Sequence, residues 1–176
     1  STVYAELANR LAQDLNVDLA TLRRDFRITD VICASSIFHE QPQKIYYRIK
    51  VALDGLKARI PEPLRQLAEI TPLRLFVTTT FDTLLQQALD QVRHQERREN
   101  KTKSVAYSPN NLCDLPVGYD PSFETLVFHL LGRVSSSPDY AATEGDLLEF
   151  MHTLQSADSR PNRLIDELKK RHILLL

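Results

Sequence analysis

The spacing of apolar positions changes at Pro72. Before it, apolar residues recur every three or four positions. Val3, Leu7, Leu11 and Leu15 predict a helix over Thr2–Asn16. Asp18 is placed to cap a second helix, with Leu19, Leu22 and Phe26 on one side and Arg23, Arg24 and Arg27 on the other. Thr29-Asp30 caps a third segment, Val31–Phe38. Pro42 suits the start of a fourth, Gln43–Leu56, with Ile45, Tyr46, Ile49 and Leu53 in register, and Pro61 opens a short helix through Ile70. Residues 1–71 therefore read as a helical portion.

After Pro72 short apolar runs alternate with amphipathic ones. Strands are expected at Leu73–Thr78, Ser104–Tyr107, Thr125–Leu130 and His172–Leu176, and helices at Thr83–Arg93, Glu144–Leu154 and Arg163–Arg171. Alternation of this kind predicts an α/β fold, a Rossmann-like, mostly parallel sheet with helical crossovers. The stretch Arg93–Lys103 is mixed in charge and reads as solvated, and Ser108–Asp120 reads as a loop containing Pro, Asn and Gly. The final His172–Leu176 is apolar enough to be a buried strand, which implies a truncated domain continuing beyond it.

Composition narrows the class. At 176 residues, with 43% hydrophobic and 26% charged positions, the chain is a single globular domain with a substantial core. A net charge of -1 gives no bias toward nucleic acid or an anionic membrane. No apolar run approaches the roughly 20 residues of a membrane span, and the first residues contain no signal-peptide core. Cys33 and Cys113 make neither a disulfide framework nor a zinc site, which points to a reducing cytoplasm and no metal. Gly55, Gly118, Gly132 and Gly145 are too dispersed for a dinucleotide fingerprint or a P-loop.

Two clusters carry candidate chemistry. Thr78-Thr79-Thr80-Phe81-Asp82 lies where a strand gives way to a helix, the edge at which open α/β sheets bind ligands. As structure, Thr80 can cap the helix and Asp82 can favour its N-terminus through the dipole. As function, hydroxyls and a carboxylate at that edge can bond a ribose and a carboxamide. The second cluster is His129 at the end of an apolar strand, with Gly132 allowing a tight turn beyond it. Such a histidine is either a core residue with one satisfied nitrogen or a general base. Thr143-Glu144-Gly145-Asp146 reads as a capped helix start.

Taken in order, Thr78–Leu85, His129–Gly132 and Thr143–Leu148 resemble the sirtuin-like NAD-binding domains of bacterial anti-phage defence proteins. The shared pattern is a strand ending Thr-Thr-Asn-Tyr/Phe-Asp, a strand carrying His-Leu-x-Gly, and Thr-x-x-Asp/Glu opening a helix. Tyr4-Ala5-Glu6-Leu7-Ala8 is similar to the segment after the family's opening glycine loop, and His172–Leu176 to the strand before its later nucleotide loop. Both loops would lie outside residues 1–176. The resemblance implies hydrolysis of the nicotinamide–ribose bond of NAD, without metal. It casts Asp82 as the carboxamide ligand, Thr80 as facing the ribose and His129 as the base, with Thr78, Thr79 and Phe81 completing the NAD-binding strand end. It also implies other domains or subunits of a defence complex as partners, and exposed sheet edges invite homo-oligomers.

Two departures shape the expectation. The family's asparagine is Thr80 here, and a hydroxyl cannot supply an amide's donor and acceptor pair. A catalytically inactive module for NAD sensing or partner assembly is therefore the alternative. The cysteine-bound zinc module of deacylase sirtuins is missing, which favours hydrolysis over deacetylation.

Overall fold

The computed structural model describes residues 3–56, 60–94 and 102–175. Four helices come first: α1 (Val3–Asp14), α2 (Ile28–Ala34), α3 (Ser36–Glu40) and α4 (Lys44–Gly55). Then follow α5 (Glu62–Glu69), β1 (Leu75–Thr78), α6 (Leu84–Arg93), β2 (Lys103–Ala106), β3 (Leu126–His129), α7 (Glu144–Gln155) and α8 (Asn162–Lys169). The sheet order is β1-β3-β2, and both pairings are parallel, aligning Thr78 and Ala106 with His129 at the carboxyl ends. The protein is thus a mixed α/β fold with a parallel sheet flanked by helices.

Central β3 is buried along its whole length, as expected of a strand covered on both faces. Side-chain alternation sorts the two layers. Leu126 and Phe128 pack with Leu75, Val105, Phe150 of α7 and Leu164 of α8. Val127 and Phe76 pack with Ala68 of α5 and with Ala88 and Leu89 of α6. Helices α1 to α4 build a separate core from Leu7, Leu11, Ile32, Ile45 and Ile49. That core is closed by Phe81 and Tyr140, which belong to the segments leaving β1 and β3. The helical portion is therefore seated against the carboxyl edge of the sheet.

The local chemistry departs from expectation at five places. Asp18 caps only a single 3-10 turn, Leu19–Thr21, accepting the Ala20 N–H. Leu22 and Phe26 still pack on the helical core, so the apolar spacing recorded burial without a helix. The third segment starts earlier, because the Asp30 carboxylate reaches back to the Arg27 N–H at 2.8 Å. It also breaks at Ser35, whose hydroxyl accepts the Phe38 N–H and begins α3. At the next junction Thr80 does not cap α6; its hydroxyl bonds that of Thr78, and Asp82 accepts the Leu84 N–H instead.

The expected strand at His172–Leu176 is not formed over its described residues, 172–175. Ile173, Leu174 and Leu175 are 59%, 61% and 88% exposed, and none of the three strands pairs with them. Apolarity marks a segment that a neighbour could bury, while strand formation needs that neighbour's free backbone groups.

Arg93 is the fifth departure. Its guanidinium donates to Ala68 O (2.6 Å), Leu73 O (2.8 Å) and Ile70 O (2.8 Å), and it lies 5.5 Å from the centre of the Phe76 ring. One planar fork thereby satisfies carbonyls at the end of α5 and ties them to the approach to β1. The expectation of a solvated stretch fails at this residue and at Thr102, which is buried with its N–H donated to Asp90; residues 95–101 lie outside the described ones. Among the described residues no helix is long and apolar enough to cross a membrane.

Two substitutions test these joints. Arg93→Lys keeps the charge but loses the fork, and it should lower unfolding free energy in urea by about 1–2 kcal/mol. Gly132 has φ +81°, and a Cβ there would overlap Asp139 O and the Tyr140 backbone. Gly132→Ala should cost more than about 2 kcal/mol, read from the same denaturation midpoints.

Candidate functional site

The end of β1 is closed by its own threonines. Thr78 Oγ1 accepts the Thr80 N–H at 3.1 Å and shares a hydrogen bond with Thr80 Oγ1 at 2.9 Å. Thr79 is exposed, whereas the Phe81 side chain turns into the core. Phe81 stands between two rings, 5.7 Å from Tyr4 and 5.0 Å from Tyr140, and its carbonyl accepts the Val134 N–H at 2.8 Å. This contact fastens the segment after β3 to the segment after β1.

Asp82 follows, 6% exposed. A buried carboxylate needs donors, since lost hydration costs several kcal/mol. One oxygen accepts the Leu84 N–H at 2.9 Å, where the first turn of α6 also offers a favourable dipole. The other accepts the hydroxyl of Tyr4 from α1. Burial, followed by the Asp82 charge and the bond to it, pushes the Tyr4 phenol well above its ordinary pKa; the Thr80 side chain acts in the opposite sense. Sequence reading had placed Tyr4 in the first helix and in the segment resembling the one after the family's opening glycine loop, without a role for its hydroxyl. Its hydrophobic surroundings in the sequence gave no sign that its hydroxyl would meet a residue 78 positions away.

Asp82 also belongs to the wall of a cavity of about 240 Å³. The rest of the lining is Thr83, Leu84 and Gln87 from the start of α6, Leu53 and Asp54 from α4, and Val134. Hydroxyl, amide and carboxylate groups there can bond a small polar ligand.

His129 ends β3 and is 1% exposed. Its Nδ1 lies 3.3 Å from Thr80 O, a long hydrogen bond. A carbonyl can only accept, so Nδ1 carries the proton and the neutral ring presents a bare Nε2. That Nε2 is buried and has no hydrogen-bond partner. Burial lowers the imidazole pKa; the bond to Thr80 raises it, Arg133 lowers it and Asp82 raises it. Asp82 and His129 thus lie within electrostatic reach of one another, each held by its own partner.

A second tyrosine–carboxylate bond mirrors the first. Tyr46 of α4 donates to Asp146 Oδ1 at 2.7 Å, while Asp146 Oδ2 accepts the Ala142 and Thr143 N–H groups. Thr143 returns a bond to the Asp146 N–H, so the expected cap at this helix is present as a reciprocal pair. Tyr140 joins the two halves, its hydroxyl bonded to Tyr46 O at 3.0 Å and its ring 5.4 Å from that of Tyr46.

The structure therefore brings Thr78, Thr80, Asp82 and His129 to one edge, adds Tyr4, and places Phe81 in the packing beneath. Among the described residues, no group of three or more His, Cys, Asp or Glu side chains is placed to hold a metal ion. Comparison with protein-family models, curated proteins and solved structures returned no match.

The buried imidazole has a pH consequence. Its folded pKa lies below that of the unfolded chain, about 6.5, so the unfolded state binds more protons on acidification. The stability this residue contributes is full above that value and is lost as pH falls through the depressed folded pKa. Wild-type protein should lose stability between pH 7 and pH 5, and His129→Leu should flatten that slope in urea titrations at each pH.

Proposed function

We propose that the chain is part of a sirtuin-like, Rossmann-like domain that binds NAD and hydrolyses its nicotinamide–ribose bond. The observation that supports this most is His129: a neutral imidazole with an unbonded Nε2, at the carboxyl end of the central parallel strand. In such a sheet that edge is the general position for ligands. The Thr80 carbonyl holds the proton on Nδ1, so Nε2 is left to accept one.

On this reading Asp82 accepts the carboxamide N–H, and the Thr80 region faces the nicotinamide ribose. His129 takes a proton from water or from a ribose hydroxyl. The ribose C1′–N bond breaks with its electron pair going to the pyridinium, which leaves as neutral nicotinamide. Water oxygen bonds to C1′, giving ADP-ribose, and one proton passes through the imidazole to solvent. Preorganised polar groups stabilise the oxocarbenium-like centre. Because His129 is 1% exposed, the edge must open for substrate to reach Nε2. Cytoplasmic location and partnership with other domains or subunits of a defence complex, including further copies of itself, belong to the same reading.

A second reading has an observation of its own. Both Asp82 oxygens are engaged within the chain, and the Thr80 hydroxyl is tied to Thr78. That arrangement suits a non-catalytic module that senses NAD or assembles with a partner.

Nicotinamide release from NAD, followed by chromatography, separates the two. The hydrolase reading expects release by wild type and a loss of about 10²–10⁴-fold in His129→Ala. Saturable NAD binding by calorimetry with no release supports the module. Neither binding nor release rejects the hydrolase and the NAD sensor alike and leaves assembly with a partner.

A further inference from the structure

We infer that Tyr4 is a positioning residue for the Asp82 carboxylate, fixing which of its lone pairs face the cavity beside α6; this rests on the NAD reading above for its ligand. Asp82 belongs to two environments. It accepts the Tyr4 hydroxyl, delivered by α1, and it lines the cavity together with Thr83, Gln87 and Asp54. A carboxylate offers about four lone-pair sites. Tyr4 and the Leu84 N–H engage one site on each oxygen, which leaves sites for a ligand donor.

These two bonds also remove the rotational freedom of the carboxyl group. Leu84 alone would hold one oxygen and leave the plane free to swing; Tyr4 holds the second. The phenol is itself held, because its ring packs edge-on against Phe81, and Phe81 against Tyr140. The orientation of the ligand-facing acceptor is thus set by the helical portion, although the acceptor belongs to the β/α portion. A carboxylate prearranged in this way binds a donor without losing that freedom on association.

Tyr4→Phe retains the ring and its contact with Phe81 while deleting the hydroxyl. In the full chain, two measurements test the assignment. The first is amide hydrogen exchange at Leu84, whose N–H bonds Asp82: it should quicken by about tenfold in Tyr4→Phe, while Leu11 and Phe128 amides remain protected. The second is nicotinamide release from NAD, where KM should rise by about tenfold with kcat changed by less than about threefold. Unchanged Leu84 exchange overturns the assignment. So does quickened exchange with an unaltered KM, and so does a uniform rise in exchange throughout the core, which would mark Tyr4 as a packing residue. If wild type does not cleave NAD, the hydrolase reading fails separately, and Leu84 exchange decides the role of Tyr4 by itself.

Discussion

A carboxylate taken out of water must be met by donors, and at Asp82 that requirement joins the two halves of the molecule. Leu84 provides one donor from the adjacent helix start, a local solution that the chain reaches within two residues. The other comes from Tyr4, 78 positions earlier in the sequence. Tyr46 and Asp146 repeat the solution across a separation of 100 residues. Between these bonds run the packed rings of Tyr4, Phe81, Tyr140 and Tyr46. Apolar contact supplies area here, and the two tyrosine hydroxyls supply register, since each is satisfied only when the helices sit at one position over the sheet.

The central strand depends on the same joint. β3 is covered by helices on both faces, and its end is covered by the segments that the aromatic row holds down. His129 is consequently enclosed, with its Nδ1 proton assigned by a backbone carbonyl and its other nitrogen unbonded. An unbonded buried nitrogen is a cost to the folded state. Tyr107, Thr102 and His94 each bury a polar atom without a partner as well, and what sets His129 apart is its place at the carboxyl end of the central strand.

Much of this arrangement was legible beforehand. The strands at Leu75–Thr78, Lys103–Ala106 and Leu126–His129 lie within a residue or two of the apolar runs that announced them. Pro61 and Thr143 marked helix starts for simple stereochemical and hydrogen-bonding reasons. Misreadings arose where one signal serves two causes. Leu19, Leu22 and Phe26 have helical spacing, yet only Leu22 and Phe26 pack on the core, and the backbone between them is mostly irregular. Arg93 sits in a run of charges that suggested solvent, but its fork faces three carbonyls.

What the chain determined by itself was local: where apolar faces recur, where caps and turns fall, and that a threonine cluster and a histidine each end a strand. These follow from hydrogen-bond reach and side-chain periodicity over a few residues. Only the tertiary structure decided that Tyr4 would meet Asp82, that Phe81 would be packed beneath the site, and that His129 would be enclosed. It also left Ile173, Leu174 and Leu175 outside the sheet. Each of those outcomes depends on which distant group arrives to satisfy a charge, fill a volume or pair a backbone, and sequence spacing carries no record of the arrival.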